Sequence, residues 1–159
     1  MHVRGKLSIF LFTLVLLLRV TLPGAAQAAK DSKAEIQALF AEYLRLHAAK
    51  DMAGWQKLFL AEAICVRTAD DGNVVAYPVA ELARSIDEEA RKLESQHETF
   101  EQVRIEVDGD AATYATLWKL YHNGKLMRQG RAYFSLVRKN GKWMIAALVW
   151  YRHSGGGVR

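Results

Sequence analysis

A chain of 159 residues, 51% of them hydrophobic and 25% charged, is long enough for one domain with a real core and too apolar to be disordered. Its formal net charge of +5 is not gathered in one basic segment, and the signs are mixed beyond residue 30, which argues against a nucleic-acid partner. The one cysteine, Cys65, excludes an intramolecular disulfide and a cysteine metal cluster, and the pattern around it predicts a buried filler within a strand.

The N-terminus predicts an export signal over residues 1–28. Arg4 and Lys6 precede an apolar run, Leu7 to Leu18. Arg19 and Pro23-Gly24 end it, and Ala26-Gln27-Ala28 is a small-x-small cleavage site. The run is too short for a membrane-spanning helix, which needs about 20 apolar residues. Cleavage after Ala28 removes three basic residues and no acidic one, so the formal charge falls from +5 to +2. The expected location is periplasmic or secreted, with no stable membrane span after cleavage.

The domain is expected over residues 29–153. Ser32 and Glu35 form a capping box for a first helix whose apolar face is Ile36, Leu39, Phe40, Tyr43, Leu44 and His47. That helix fades near Lys50. Asp51 then caps a short second helix carrying Trp55. A strand from Ala63 to Ala69 turns at Asp70-Asp71-Gly72-Asn73 and returns over Val74 to Tyr77. Pro78 opens a third helix, Val79 to Ser95. Three turn signals, Asp108-Gly109, Asn123-Gly124 and Asn140-Gly141, divide the remainder into strands at Thr99–Val107, Ala111–Tyr121, Lys125–Arg138 and Lys142–Arg152. A tail over residues 154–159 is expected to be disordered. Strict alternation makes the last strand apolar on both faces: Trp143, Ile145, Ala147 and Val149 on one, Met144, Ala146, Leu148 and Trp150 on the other. Two covered faces predict a homodimer packed through its sheets.

The helix-plus-Asp unit AEYLRLHAAKDMAGWQKLF (residues 41–59) and the closing hairpin FSLVRKNGKWMIAALVW (residues 134–150) resemble the NTF2-like superfamily, which includes SnoaL-like cyclases, ketosteroid isomerases and scytalone dehydratases. The resemblance implies an α+β cone, with three helices from the N-terminal half packed in a strongly curved, mixed or antiparallel sheet. It also implies an apolar cavity. Pocket candidates are Tyr43, His47, Arg67, Tyr114, Trp118, Arg131 and Trp150. Arg67 is the most informative, because a charge inside a strand is costly to bury unless paired.

Ketosteroid isomerases use an aspartate base, with a tyrosine and a protonated aspartic acid as oxyanion donors. The resemblance puts Tyr43 at the tyrosine position, Arg67 at the base and Phe134 near the second donor, so one group in three survives. The histidines show no metal-ligand spacing on one element, and no metal or cofactor is expected. The leading expectation is therefore a non-catalytic cavity for a small apolar molecule, with or without an acidic group. The alternatives are a SnoaL-like isomerase, dehydratase or cyclase using Tyr43 and His47, and a protein-interaction module of the cell envelope. The enzyme reading requires Tyr43, His47 and Arg67 to converge on one cavity.

Overall fold

The computed structural model describes residues 23–68 and 72–152. The expected signal core (residues 1–22), the Asp70-Asp71 part of the first turn and the C-terminal tail lie outside the described residues. Helices α1 (Pro23–Ala48), α2 (Met52–Gln56) and α3 (Val79–Ala90) accompany strands β1 (Phe59–Thr68), β2 (Val74–Pro78), β3 (Gln96–Asp108), β4 (Ala111–His122), β5 (Lys125–Lys139) and β6 (Lys142–Arg152). The strands form one sheet in the order β2-β1-β6-β5-β4-β3. The β1–β6 pair is parallel and every other pair is antiparallel. The chain is thus the α+β cone that its helix and hairpin patterns imply.

Local chemistry explains most boundaries. The Asp51 side chain accepts a hydrogen bond from the Gly54 N–H at 2.8 Å and starts α2. Asn123-Gly124 and Asn140-Gly141 all have positive φ, as a two-residue turn between right-twisted strands requires. The helix α3 stops at Ala90, short of Ser95, and the Asn123 carboxamide oxygen accepts from the Glu94 and Ser95 N–H groups, each at 3.0 Å.

The N-terminus of α1 departs from expectation. Ser32 and Glu35 lie well inside the described helix and cap nothing. They hold Arg138 of β5 instead: its Nη2 donates to Ser32 Oγ at 3.0 Å and meets Glu35 Oε2 at 2.9 Å.

The last strand also differs. Ser135 pairs with Ala147 and Leu136 with Ile145, so Ala146 is an extra residue that shifts the alternation. Trp143 and Ile145 point inward before the bulge, Leu148 and Trp150 after it. The two apolar sets are thus one inward face cut in two, and Val149 is 46% exposed on the outer face. A second bulge, with Gln102 at φ 52, interrupts β3 between Glu101 and Arg104.

The core is aromatic. Phe40 of α1 stacks on Tyr114 at 3.6 Å between centroids and meets Phe134 edge-on at 4.8 Å. Tyr43 meets Trp55 edge-on at 5.1 Å. Cys65 is fully buried within this cluster, and burial pushes its thiol up to about 12. No described helix is long and apolar enough to cross a membrane.

Candidate functional site

The aromatic cluster does not fill the cone. A cavity of about 370 Å³ remains between the concave sheet face, the C-terminal half of α1 and one side of α3. Its size falls near the lower end of small-molecule pockets. Register fixes which side chains face it: Arg67 lies beside Trp150, Trp150 beside Ala132, Trp118 beside Phe100, and Leu120 beside Glu98.

One side carries acid–base groups. Tyr43 and His47 stand one turn apart on α1, and Glu98 of β3 faces both. The Tyr43 hydroxyl and His47 both lie close enough to the Glu98 carboxyl to act on it electrostatically. Burial holds Glu98 above the usual carboxylate range, with His47 and the Tyr43 hydroxyl pulling it partly back. The residue is half-buried overall because it lines the cavity, whereas its carboxyl sits deep in the fold. Tyr43 is raised well above an ordinary phenol, first by burial and then by Glu98. The Gln96 side chain donates to the His47 carbonyl at 3.0 Å and ties the end of α1 to β3. His47 is 2% exposed, and its Nδ1 is buried with no hydrogen-bond partner among the described residues.

The other side carries Arg67 of β1, Tyr77 of β2 and Trp150 of β6. The Arg67 guanidinium lies near the Tyr77 hydroxyl and acts on it electrostatically. No carboxylate pairs with Arg67 among the described residues. Trp118 and Trp150 meet edge-on at 5.7 Å and form the wall between the two sides. At the rim, Glu89 of α3 lies 3.6 Å from Arg128 and 4.0 Å from His122. Burial lowers His122 below an ordinary histidine, with Glu89 opposing that shift.

Five of the seven candidates therefore border one cavity: Tyr43, His47, Arg67, Trp118 and Trp150. Two do not. Tyr114 is packed into the aromatic core against Phe40. Arg131 points to the outer face, because its neighbour Ala132 takes the inward position, and its Nη2 donates to Gln102 at 3.1 Å. Glu98 was not among the candidates, since the expected strand began one residue later. The pattern held a signal: Gln96, Glu98 and Phe100 share one face at a spacing of two. Among the described residues no three His, Cys, Asp or Glu side chains cluster as a metal site would.

Comparison with known proteins bears on this arrangement. A family model for the SnoaL-like domain matches residues 29–149. No curated protein sequence matches significantly. Among solved structures, an NTF2-like protein with a cystatin-like fold from Novosphingobium aromaticivorans superposes with a TM-score of 0.71 at 18% identity. It covers 88% of this chain and 94% of its own. Rv3472, a protein of unknown function from Mycobacterium tuberculosis, gives 0.68 at 24% identity, covering 82% and 76%. The beta subunit of the benzoate 1,2-dioxygenase from Burkholderia mallei gives 0.61 at 19%, covering 76% and 89%. At these identities the structures share the fold alone. The extent of the domain match, over a cone with its cavity walled by α1 and the concave sheet, makes this chain a member of the SnoaL-like family within the NTF2-like superfamily.

Proposed function

We propose that the cavity binds a small, largely apolar molecule and moves a proton on it, with Glu98 as the proton-transfer group. The observation that carries this reading is the Glu98 carboxyl itself, set beside Tyr43 and His47 on the cavity wall. A buried carboxyl is costly in a pocket that only binds apolar surface. Held neutral more readily than an exposed acid, it is suited to give a proton to a bound molecule. The carboxylate left behind is met by the Tyr43 hydroxyl and by His47. A proton taken from another position of the same molecule restores the acid. The net result is a moved double bond or, where the protonated group is a hydroxyl, an alkene and water. Tyr43, His47 and Arg67 all border the same cavity, which is the arrangement that an acid–base site on this fold requires.

The test is deuterium incorporation. A panel of small unsaturated ketones and 3-hydroxy carbonyl compounds is incubated in D2O and followed by NMR. Protein-dependent exchange or double-bond migration is expected for at least one compound, reduced about 100-fold or more by Glu98→Gln. Exchange that survives unchanged in that variant overturns the assignment, and a panel that binds without exchange returns the cavity to a purely binding role.

Export and pairing belong to the same reading. The apolar run and the small-x-small site support a cleaved signal, and the family match begins at Ala29, one residue beyond the expected cut. The working domain would then act in the periplasm or outside the cell. For pairing, the outer sheet face carries Ile64 (44% exposed), Tyr133 and Val149, with Val149 beside both Val66 and Tyr133 in the register. This stripe, smaller than strict alternation implies, supports a dimer through the sheets.

A further inference from the structure

The two sides of the cavity differ in hydrogen-bonding character. The Glu98 side offers an acceptor as well as donors. The β1–β6 side holds an excess of N–H groups. Arg67 carries five donors, lies near the Tyr77 hydroxyl, and has no carboxylate partner among the described residues. The indole N–H groups of Trp118 and Trp150 are both buried with no hydrogen-bond partner among the described residues. The Trp150 N–H lies near the Tyr77 hydroxyl without closing a hydrogen bond. The Arg67 donors without a matching acceptor favour a ligand that brings acceptor oxygens to this side. Arg67 borders the cavity with no carboxylate partner among the described residues, so an anion is favoured there over a neutral oxygen. A carboxylate matches a guanidinium in a planar, two-point contact.

The space between is flat-walled and apolar. Trp118 and Trp150 stand nearly perpendicular to each other, with Leu120, Ala132 and Leu148 completing the surface. Arg67 and Glu98 lie on strands four steps apart in the sheet, and curling brings them to face one space. We propose that the cavity takes a small, flat, unsaturated carboxylic acid. Its carboxylate sits on Arg67, its body lies along Trp118 and Trp150, and its far end is presented to Tyr43 and Glu98. The proposal rests on the cavity being a small-molecule site and narrows it to a substrate class. It also orients the substrate, placing the reacting atoms at the end away from the carboxylate.

The test uses the purified protein with trans-cinnamate and its uncharged analogue cinnamamide, titrated by calorimetry and by quenching of tryptophan fluorescence. The expected result is about a tenfold or greater preference for the acid in the wild-type protein, since a charged hydrogen-bonded pair is at stake. Arg67→Ala should abolish that preference while leaving cinnamamide binding in place. Arg67→Lys should keep part of it, which separates lost charge from lost packing. Far-UV circular dichroism and the melting temperature establish that each variant is folded. Equal binding of acid and amide, a preference that survives Arg67→Ala, or binding of neither compound overturns the proposal. The deuterium exchange test uses uncharged compounds and reads Glu98, so failure here leaves the proton-transfer reading standing, and failure there leaves this one standing.

Discussion

Replacing Glu98 by Gln isolates the electrostatics of the buried carboxyl, because shape and the capacity to accept from Tyr43 are kept. In acid, below the ordinary glutamic acid pKa of about 4.3, the wild-type side chain is neutral in both the folded and unfolded chain. The two proteins should then differ by no more than one neutral hydrogen bond, about 0.5–1.5 kcal/mol. Glu98 is raised in the fold, chiefly by burial, so the folded state holds its proton to higher pH than the unfolded state does. Stability is therefore fully present below the unfolded pKa and lost as pH rises toward the folded one. The slope is at most about 1.4 kcal/mol per pH unit, or about 5 °C in melting temperature for a domain of this size. Glu98→Gln has no such titration and should gain on the wild type as pH rises. Urea or thermal unfolding of both proteins between pH 4 and pH 8 gives the difference, in which His122 cancels because it is present in both. A difference that is flat with pH, or one that favours the wild type as pH rises, would mean that Glu98 is ionised in the fold and held by His47, and the reasoning would be refuted.

Three further outcomes follow from other parts of the molecule. Cys65 is fully buried with its thiol pushed up to about 12, so the native protein at pH 8 should resist a thiol reagent and react only after unfolding. Paired substitution of Tyr133 and Val149 by Lys should convert a dimer to a monomer in light scattering without lowering the melting temperature of the subunit by more than a few degrees; a wild-type monomer contradicts the pairing. The mass of the protein recovered from an exporting host should correspond to a chain beginning at Ala29, and an uncut chain held in the cell contradicts export.

Much of the fold is legible in local chemistry. Asp51 starts a helix, and Asn123-Gly124 and Asn140-Gly141 set the hairpins, because each turn type demands those residues. The bulges are not legible. Neither Ala146 nor Gln102 has a composition that announces an extra residue, and both are decided by which partner residues pair across the sheet. One such residue exchanges the faces of everything beyond it, which is why β6 looks apolar on both sides. Tyr43, His47 and Arg67 stand out as polar groups on otherwise apolar faces. Arg131 stands out equally and points the other way, because the strand's phase relative to the cone cannot be read from one strand alone. Glu98 lies at the start of β3 beside exposed polar neighbours, and only its pairing with Leu120 shows that it faces inward.

The proton-transfer account turns on the state of one carboxyl, which can be followed directly by the ¹³C resonance of the Glu98 side chain across a pH titration, assigned with Glu98→Gln. The account predicts a midpoint above the ordinary glutamic acid value of about 4.3, moving higher still in Tyr43→Phe, which loses the hydroxyl that favours the charged form. A midpoint at or below the ordinary value, unchanged by Tyr43→Phe, would contradict it.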